Sequence, residues 1–499
     1  MRMLAAFAAI CVALHAQQET RRPNIVVVLC DDLGYGDVSC YQEDSLIRTP
    51  VIDRLAREGV RFTDAHSADA VCTPSRYALL TGRYCWRTWL KRNVIGGYTP
   101  PLIEPTRATL ASYLHAQGYR TACVGKWHLG VGWTRRNGTV GTAANAEAMF
   151  KGSWQDGEPK AGMDVDFEKP IVGGPLALGF DFAFFTAACP TIDGPFAFIR
   201  GDRTVGIPDH PIRVDESVDV DHRPRAGWIA PGFVLEDVDP TFTHEAIGFV
   251  EDSVARDRER PFFLYLALSS PHAPWLPPTF AQGRTKEGAR GDLVWLADWC
   301  IGQLEATLTR LGVADDTLLI VTSDNGPRPG ANGHRSAGEL RGYKSHAWEG
   351  GHRVPFVARW PGHITAGRTE AEPLELTDLF ATCAALVGAK PPEGAAPDSC
   401  NLLPAVLGTP HSAPLREAVI SHSCFGVFAI RQGKWKLIEG TKSSGGWVPP
   451  AGQAAVAGAP GQLYDLDADP SEERDIYEGE PATVQRLTEL LDRVRASGR

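Results

Sequence analysis

Residues Asn24–Cys30 read NIVVVLC and run straight into Asp31 and Asp32. Beyond Asn24 the run has no strongly polar side chain and is dominated by β-branched residues. That is the pattern of a strand buried on both faces, not of an alternating half-exposed one. The pattern returns three times. Residues 119–124 lead into Gly125, Lys126, Trp127 and His128. Residues 262–268 (FFLYLAL) lead into Ser269, Ser270, Pro271 and His272. Residues 317–322 (TLLIVT) lead into Ser323, Asp324, Asn325 and Gly326. Helical stretches at 51–58, 109–117, 242–257 and 293–310 lie between them. Strand–helix alternation predicts an α/β layer fold around a largely parallel sheet. Ligands of such sheets sit outside the carboxyl ends of the strands. Asp31, Asp32, Lys126, His128, His272, Asp324 and Asn325 are therefore expected along one sheet edge.

The rest of the chain is consistent with that plan. Of 499 residues, 43% are hydrophobic and 22% charged, which excludes wholesale disorder. The 51 glycines and 37 prolines have no period, so a collagen-like chain is excluded too. A formal net charge of −10 disfavours nucleic acid or an anionic membrane surface as partner. The N-terminus carries Arg2, an apolar run over residues 4–14 and a small residue at Ala16. This predicts a signal peptide over residues 1–16 and an exported, periplasmic or extracellular protein. The run is too short to span a bilayer, and no later stretch is long and apolar enough. Cys11 leaves with that peptide. The ten remaining cysteines contain no CxxC pair, and His334, His346 and His352 fit no HExxH spacing, so a zinc site is not expected.

Two segments, 133–175 and 199–240, lack periodicity and are rich in Gly, Pro and charge. They are expected to form a substrate-binding rim. A third, 441–461, reads as an exposed loop interrupting short strands around 427–438 and 462–466. An amphipathic helix over 482–496 closes the chain. We expect a catalytic α/β domain over 22–414 and a smaller C-terminal subdomain over 415–499, an antiparallel sheet with one helix.

Aspartates crowded at strand ends repel one another unless a cation sits among them. Asp31, Asp32, Asp324 and Asn325 offer only oxygen, which suits Ca²⁺ or Mg²⁺. The competing reading is that they cap turns and helices. A second constellation is Cys72-Thr73-Pro74-Ser75-Arg76, followed by Thr81-Gly82-Arg83. Pro74 fits the first turn of a helix, so Cys72 lies at a helix N-terminus, where an anion or an activated nucleophile is stabilised. The competing reading is a buried structural cysteine.

Cys72-Thr-Pro-Ser-Arg76-x4-Thr81-Gly82-Arg83 resembles the signature of the formylglycine-dependent sulfatases. The resemblance also covers residues 23–35 (PNIVVVLCDDLGY), 125–130 (GKWHLG), 323–326 (SDNG), 342–351 (GYKSHAWEGG) and 462–474 (QLYDLDADPSEER). It implies an alkaline phosphatase-like fold, a large mixed and mostly parallel sheet between helices with a smaller C-terminal sheet. It implies that a maturation enzyme converts Cys72 to formylglycine (3-oxoalanine). It assigns Asp31, Asp32, Asp324 and Asn325, with the modified Cys72, to a divalent cation, usually calcium. The aldehyde hydrate would attack sulfur and displace the alcohol, then expel sulfate in a second step. Arg76 and Lys126 would balance charge there, and His128 would assist the hydrate. His272 and Lys344 would bind the ester and protonate the leaving oxygen.

The segment 84–103 resembles members acting on sulfated galactose or N-acetylgalactosamine, often at the 6-position. Trp86, Trp89, Tyr98, Trp133 and Trp275 are candidates for sugar contacts. The family often places a Ser after Gly179-Phe180-Asp181. This chain offers Thr191 instead, among Ala187-Ala188-Cys189-Pro190-Thr191-Ile192-Asp193. Two other readings stay open at this level. One is a phosphoester or phosphonate-ester hydrolase on the same fold. The other is a glycan-binding remnant with an unmodified Cys72.

Overall fold

A computed structural model describes residues 22–150, 162–212, 214–440, 444–447 and 460–497. The expected signal peptide, and most of the loop expected at 441–461, lie outside these residues. Ten strands form the main sheet. In chain order they are β1 (Asn24–Cys30), β2 (Val60–Phe62), β3 (Arg120–Lys126), β4 (Phe182–Thr186), β5 (Ile199–Arg200), β6 (Arg203–Thr204), β7 (Phe262–Ala267), β8 (Thr317–Ser323), β9 (Phe356–Arg359) and β10 (Arg368–Glu370). Their spatial order is β10-β2-β9-β8-β1-β7-β3-β4-β5-β6. The five central strands, β8 to β4, are parallel, and antiparallel pairs flank them.

Alternation along β1 explains its unbroken apolar run. Ile25, Val27 and Leu29 enter one core, shared with α2 (Cys72–Thr81), α3 (Leu110–Ala116) and α6 (Leu379–Val387). Val26, Val28 and Cys30 enter the other, shared with α1 (Pro50–Glu58), α4 (Val238–Arg256) and α5 (Ala289–Arg310). Both faces are covered by helices, so every position from Ile25 to Cys30 carries an apolar side chain. Register then aligns the strand ends: Cys30 sits opposite Ser323, Leu29 opposite Ala267, and Ala267 opposite Gly125. The residues that follow emerge at one level of one edge. At Gly125, φ is +116°, and a Cβ there would lie 1.9 Å from the Ala267 carbonyl oxygen. A glycine is thus what lets β3 run on to Lys126, two residues beyond the apolar stretch.

Helices α4 and α5 each begin four residues before the apolar periodicity. Their first turns are polar for a tertiary reason. Asp239 accepts hydrogen bonds from Ser269 N (2.7 Å) and Ser270 N (2.8 Å), clamping the loop after β7. Asp292 accepts from Gly283 N and Thr285 N at 2.7 and 2.8 Å. The region from 199 to 240 is also more ordered than its composition predicts. It supplies β5 and β6, and pairs Trp228–Ile229 with His210–Pro211.

The small sheet runs β11 (Val419–His422), β12 (Phe428–Gln432), β13 (Trp435–Glu439) and β14 (Gly461–Asp465), all antiparallel, under α7 (Pro481–Ala496). The stretch at 427–438 is therefore two strands, and β11 lay unrecognised before them. Leu487, Leu490 and Leu491 of α7 pack with Ile420, Ile430, Leu437 and Leu463, and also with Ala68, Ala78 and Tyr84 of the large unit. Buried charge stitches the two sheets as well. Lys436 Nζ lies 2.9 Å from both Glu349 Oε1 and Glu472 Oε1, and Arg416 pairs with Glu375 and Asp378 at 2.7 and 3.0 Å. All ten described cysteines are unpaired.

Leu264 is fully buried in the middle of β7. Leu264→Ala is expected to cost about 3 kcal/mol through lost burial and the cavity left behind. A urea titration that left the midpoint unchanged would contradict this account of the core.

Candidate active site

The strand ends deliver their residues as the register requires. Asp31 N donates to Ser270 O at 3.1 Å, and Asp324 N to Cys30 O at 3.1 Å, so the loops after β1, β7 and β8 are tied together. Asp32, His128 and Ser345 adopt left-handed conformations at φ +66°, +55° and +82°. Such backbone is unfavourable for these residues and persists only where surrounding contacts impose it. Cys72 is the first residue of α2, and every residue of that helix is buried. Thr73 Oγ1 donates to His128 O at 3.1 Å, docking the helix start against the loop after β3.

Beneath the cleft lies a compact charge network. Lys126 Nζ donates to Asp31 Oδ2 at 2.5 Å, and Lys344 Nζ to Asp32 Oδ1 at 2.6 Å. Arg76 reaches Asp324 Oδ2 through Nε at 2.9 Å and Nη2 at 2.8 Å, and its Nη1 donates to Lys126 O at 2.9 Å. Asn325 Nδ2 donates to Asp32 Oδ1 at 2.7 Å. All of these side chains are essentially inaccessible to solvent.

Three oxygens in this network, Asp31 Oδ1, Asp32 Oδ2 and Asn325 Oδ1, are buried with no hydrogen-bond partner among the described residues. Leaving such atoms unpaired is costly unless something else satisfies them. Cys72 Sγ and one carboxylate oxygen each of Asp31 and Asp324 lie within 4.8 Å of one another. The donor set thus fits a hard divalent cation, and capping alone does not account for the orphaned oxygens.

Electrostatics point the same way. Burial pushes the Asp31 carboxyl up, but Lys126, His272 and Arg76 outweigh it and hold the group well below the usual range. Asp32 is also lowered, Lys344 overcoming its burial. Asp324 is pushed up by burial and by the charge of Asp31, a repulsion that a cation would relieve. Lys126 and Lys344 are both held above the ordinary lysine value, by Asp31 and Asp32 respectively, against the cost of burial.

The two histidines differ. Burial, Lys126 and Arg76 drive His128 well below the usual imidazole value, so the ring is neutral. Its Nε2 lies 2.7 Å from Ile95 O, which only accepts, so Nε2 carries the proton. Its Nδ1 is a buried lone pair with no partner among the described residues. His272 is pushed down to about 3 by burial and Lys344. Its Nε2 is 3.8 Å from Asp32 Oδ2, while Nδ1 faces the Ala273 carbonyl and lies 3.2 Å from Cys189 Sγ.

A narrow cleft opens over this floor. Cys72, His128, His272 and Lys344 line it; Arg76, Lys126 and the acidic set lie below. Asp193, Arg225, Arg328 and Trp447 also line it and were not singled out from the sequence. Arg225 pairs with Asp193 at 2.7 Å, and Arg328 with Asp221 at 2.8 Å. Arg225 falls inside the rim segment expected at 199–240, but nothing in its local sequence separates it from neighbouring arginines.

The aromatic expectation is corrected. Trp86 stacks on Tyr84, Trp89 packs against Phe150, Tyr98 and Trp133 are core residues, and Trp275 lies against His222. None of the five is among the cleft-lining residues. Thr191 lines a neighbouring pocket, and Cys189 stands on the cleft wall instead.

With this geometry in view, the chain's relatives can be compared. The Sulfatase family sequence model matches residues 23–389. An N-acetylgalactosamine-6-O-sulfatase of Bacteroides thetaiotaomicron is 34% identical over 96% of this chain and 94% of that protein. Human arylsulfatase A is 34% identical over 94% of this chain and 87% of its own length. A solved structure from work on metabolism of multiple glycosaminoglycans by Bacteroides thetaiotaomicron is 32% identical. It superposes with a TM-score of 0.80, covering 96% of this chain and 100% of its own. Orphaned oxygens gathered under a cysteine at a helix start, on a sheet shared with these proteins, lead to one conclusion: the chain belongs to the sulfatase family and is a sulfuric ester hydrolase.

Proposed function

We propose that this enzyme removes sulfate from a carbohydrate, with galactose or N-acetylgalactosamine 6-sulfate as the substrate class, using Cys72 matured to formylglycine and a calcium ion. The observation that carries the proposal is the placement of Cys72 within 4.8 Å of Asp31 and Asp324, above three buried oxygens that lack partners. Asp31, Asp32, Asp324 and Asn325 would hold the cation, which supplies Lewis acidity toward a sulfate oxygen when bound. Mg²⁺ fits the same donor set. Matured Cys72 supplies the nucleophilic hydroxyl, splitting one difficult displacement into two.

The chain's own groups do the rest. Arg76 and Lys126 keep positive charge at the base of the site, where the sulfate oxygens gather negative charge. Their ion pairs with Asp324 and Asp31 also fix their position, so little reorganisation accompanies reaction. His128, neutral and with Nδ1 as its lone pair, is suited to accept the proton released when sulfate leaves. Lys344, charged, and His272, neutral, hold the ester from the cleft wall, and the Lys344 ammonium is the proton-bearing group for the departing alcohol. The relative named as an N-acetylgalactosamine-6-O-sulfatase, similar along almost the whole chain, supports the choice of sugar. Export through the N-terminal peptide would bring the enzyme to extracellular glycans. Among the described residues, no helix is long and apolar enough to cross a membrane.

Four outcomes are expected. In protein made with a maturation enzyme, the tryptic peptide 62–76 should be lighter by the thiol-to-aldehyde difference and react with a hydrazide probe. An alkylatable thiol at Cys72 in fully active protein would remove this mechanism. Cys72→Ala should lower kcat by about a thousandfold or more with little change in melting temperature; retained turnover would contradict its role. Exhaustive chelation should abolish turnover and lower the melting temperature, with both restored by Ca²⁺. At a hundredfold excess over Kd the ion adds about 2.7 kcal/mol of stability. Asp324→Ala should lose both effects together.

A further inference from the structure

A second groove, of about 370 Å³, plays no part in the chemistry above. One wall carries Trp228, held in the short pair Trp228–Ile229 with His210–Pro211, together with Ile207, Pro208 and Asp209. The other comes from Gly162 to Glu168, including Asp166 and Phe167, with Arg136 at the side. The walls are firmly built. A Cβ at Gly162 would come within 2.7 Å of the Trp228 indole, so backbone packs directly on the ring. Phe167 packs edge-on against the buried Trp133, with centroids 5.3 Å apart.

One pair of segments links the groove to the cleft. Arg225 N donates to Ile192 O at 3.0 Å, and Phe196 N to Trp228 O at 2.8 Å, so segments 192–196 and 225–229 run side by side. One end of this pair, with Ile192, Asp193 and Arg225, lines the cleft. Three residues on, Trp228 lines the groove. At about 3.3 Å per residue for a fully extended chain, the two lie at most roughly 10 Å apart.

The groove's chemistry is the reverse of the cleft's. Among the described residues, Asp166, Glu168 and Asp209 line it against one cation, Arg136. A sulfated or carboxylated group would be repelled there. Hydroxyl groups would not: carboxylates accept their hydrogen bonds, and an indole covers the apolar face of a sugar ring. An aromatic surface with a few convergent polar groups on rigid walls is the usual form of a small-ligand site.

We infer that this groove is a distal glycan site, which holds uncharged sugar units of the same chain whose sulfated unit occupies the cleft. The inference rests on the carbohydrate reading above. It makes the enzyme a reader of chain length and of sparse sulfation, preferring oligosaccharides whose flanking units carry no charge.

The test compares two probes. One is N-acetylgalactosamine 6-sulfate. The other is a tetrasaccharide bearing that sugar at its non-reducing end, followed by unsulfated hexoses. Wild type should show kcat/KM about tenfold higher on the tetrasaccharide. Trp228→Ala should erase that gain while leaving the monosaccharide within twofold. Asp209→Ala, at an exposed position, should remove part of it, and serves if Trp228→Ala fails to fold. Equal kcat/KM on both probes in wild type, or equal losses on both in the variants, would overturn the groove's role and leave the carbohydrate reading standing. If neither sugar is cleaved while an aryl sulfate is turned over, the carbohydrate reading falls and the groove's role falls with it.

Discussion

Burying three carboxylates at the ends of adjacent strands is the constraint on which the rest of the molecule depends. Taken out of water without compensation, such charges would neutralise or unfold their surroundings. The chain brings in a cation for each. Lys126 comes from the end of β3, Arg76 from the second turn of α2, and Lys344 from the loop beyond β8. Each arrives from a different element, so the sheet, the helix and the loop must all be in place before the charges balance. The balance is incomplete at three oxygens, and that residue of unsatisfied polarity is what prepares the site for a divalent ion.

The same arrangement gives the site two layers with distinct tasks. The lower layer is rigid, sealed and charged on both signs. The upper layer carries groups with open valence toward the cleft: the neutral His128, the neutral His272 and the ammonium of Lys344. Keeping the histidines neutral follows from burial and the neighbouring cations, since Lys126 and Arg76 disfavour a positive charge on His128 and Lys344 disfavours one on His272. A change in the buried cations would thus also alter the proton chemistry above them.

Much of this was legible in the amino-acid order, because buried strands and strand-end polarity leave strong local marks. The four central strands, the edge on which their ends converge and all the residues of the charged floor follow from that reading and its family resemblance. What escaped was tertiary in origin. The first turns of α4 and α5 are polar because Asp239 and Asp292 clamp distant loops, which no periodicity registers. Strand β11 is only four residues long. Asp193, Arg225, Arg328 and Trp447 converge on the cleft from irregular segments, each unremarkable in its own neighbourhood. The aromatic residues near the motifs pack inward, as most large rings do, and the nearby sequence carries no sign of it.

Helix α2 has a consequence in time. From Cys72 to Thr81 it has no exposed residue, wedged between the main sheet and the small one, with Ala78 in the core that α7 closes. The maturation of Cys72 that we propose would need more than its sulfur, which the cleft reaches. In the folded chain the helix offers a macromolecule no exposed residue to grip. The architecture therefore sets an order of events for that proposal: modification first, and closure of the C-terminal residues over the helix afterwards.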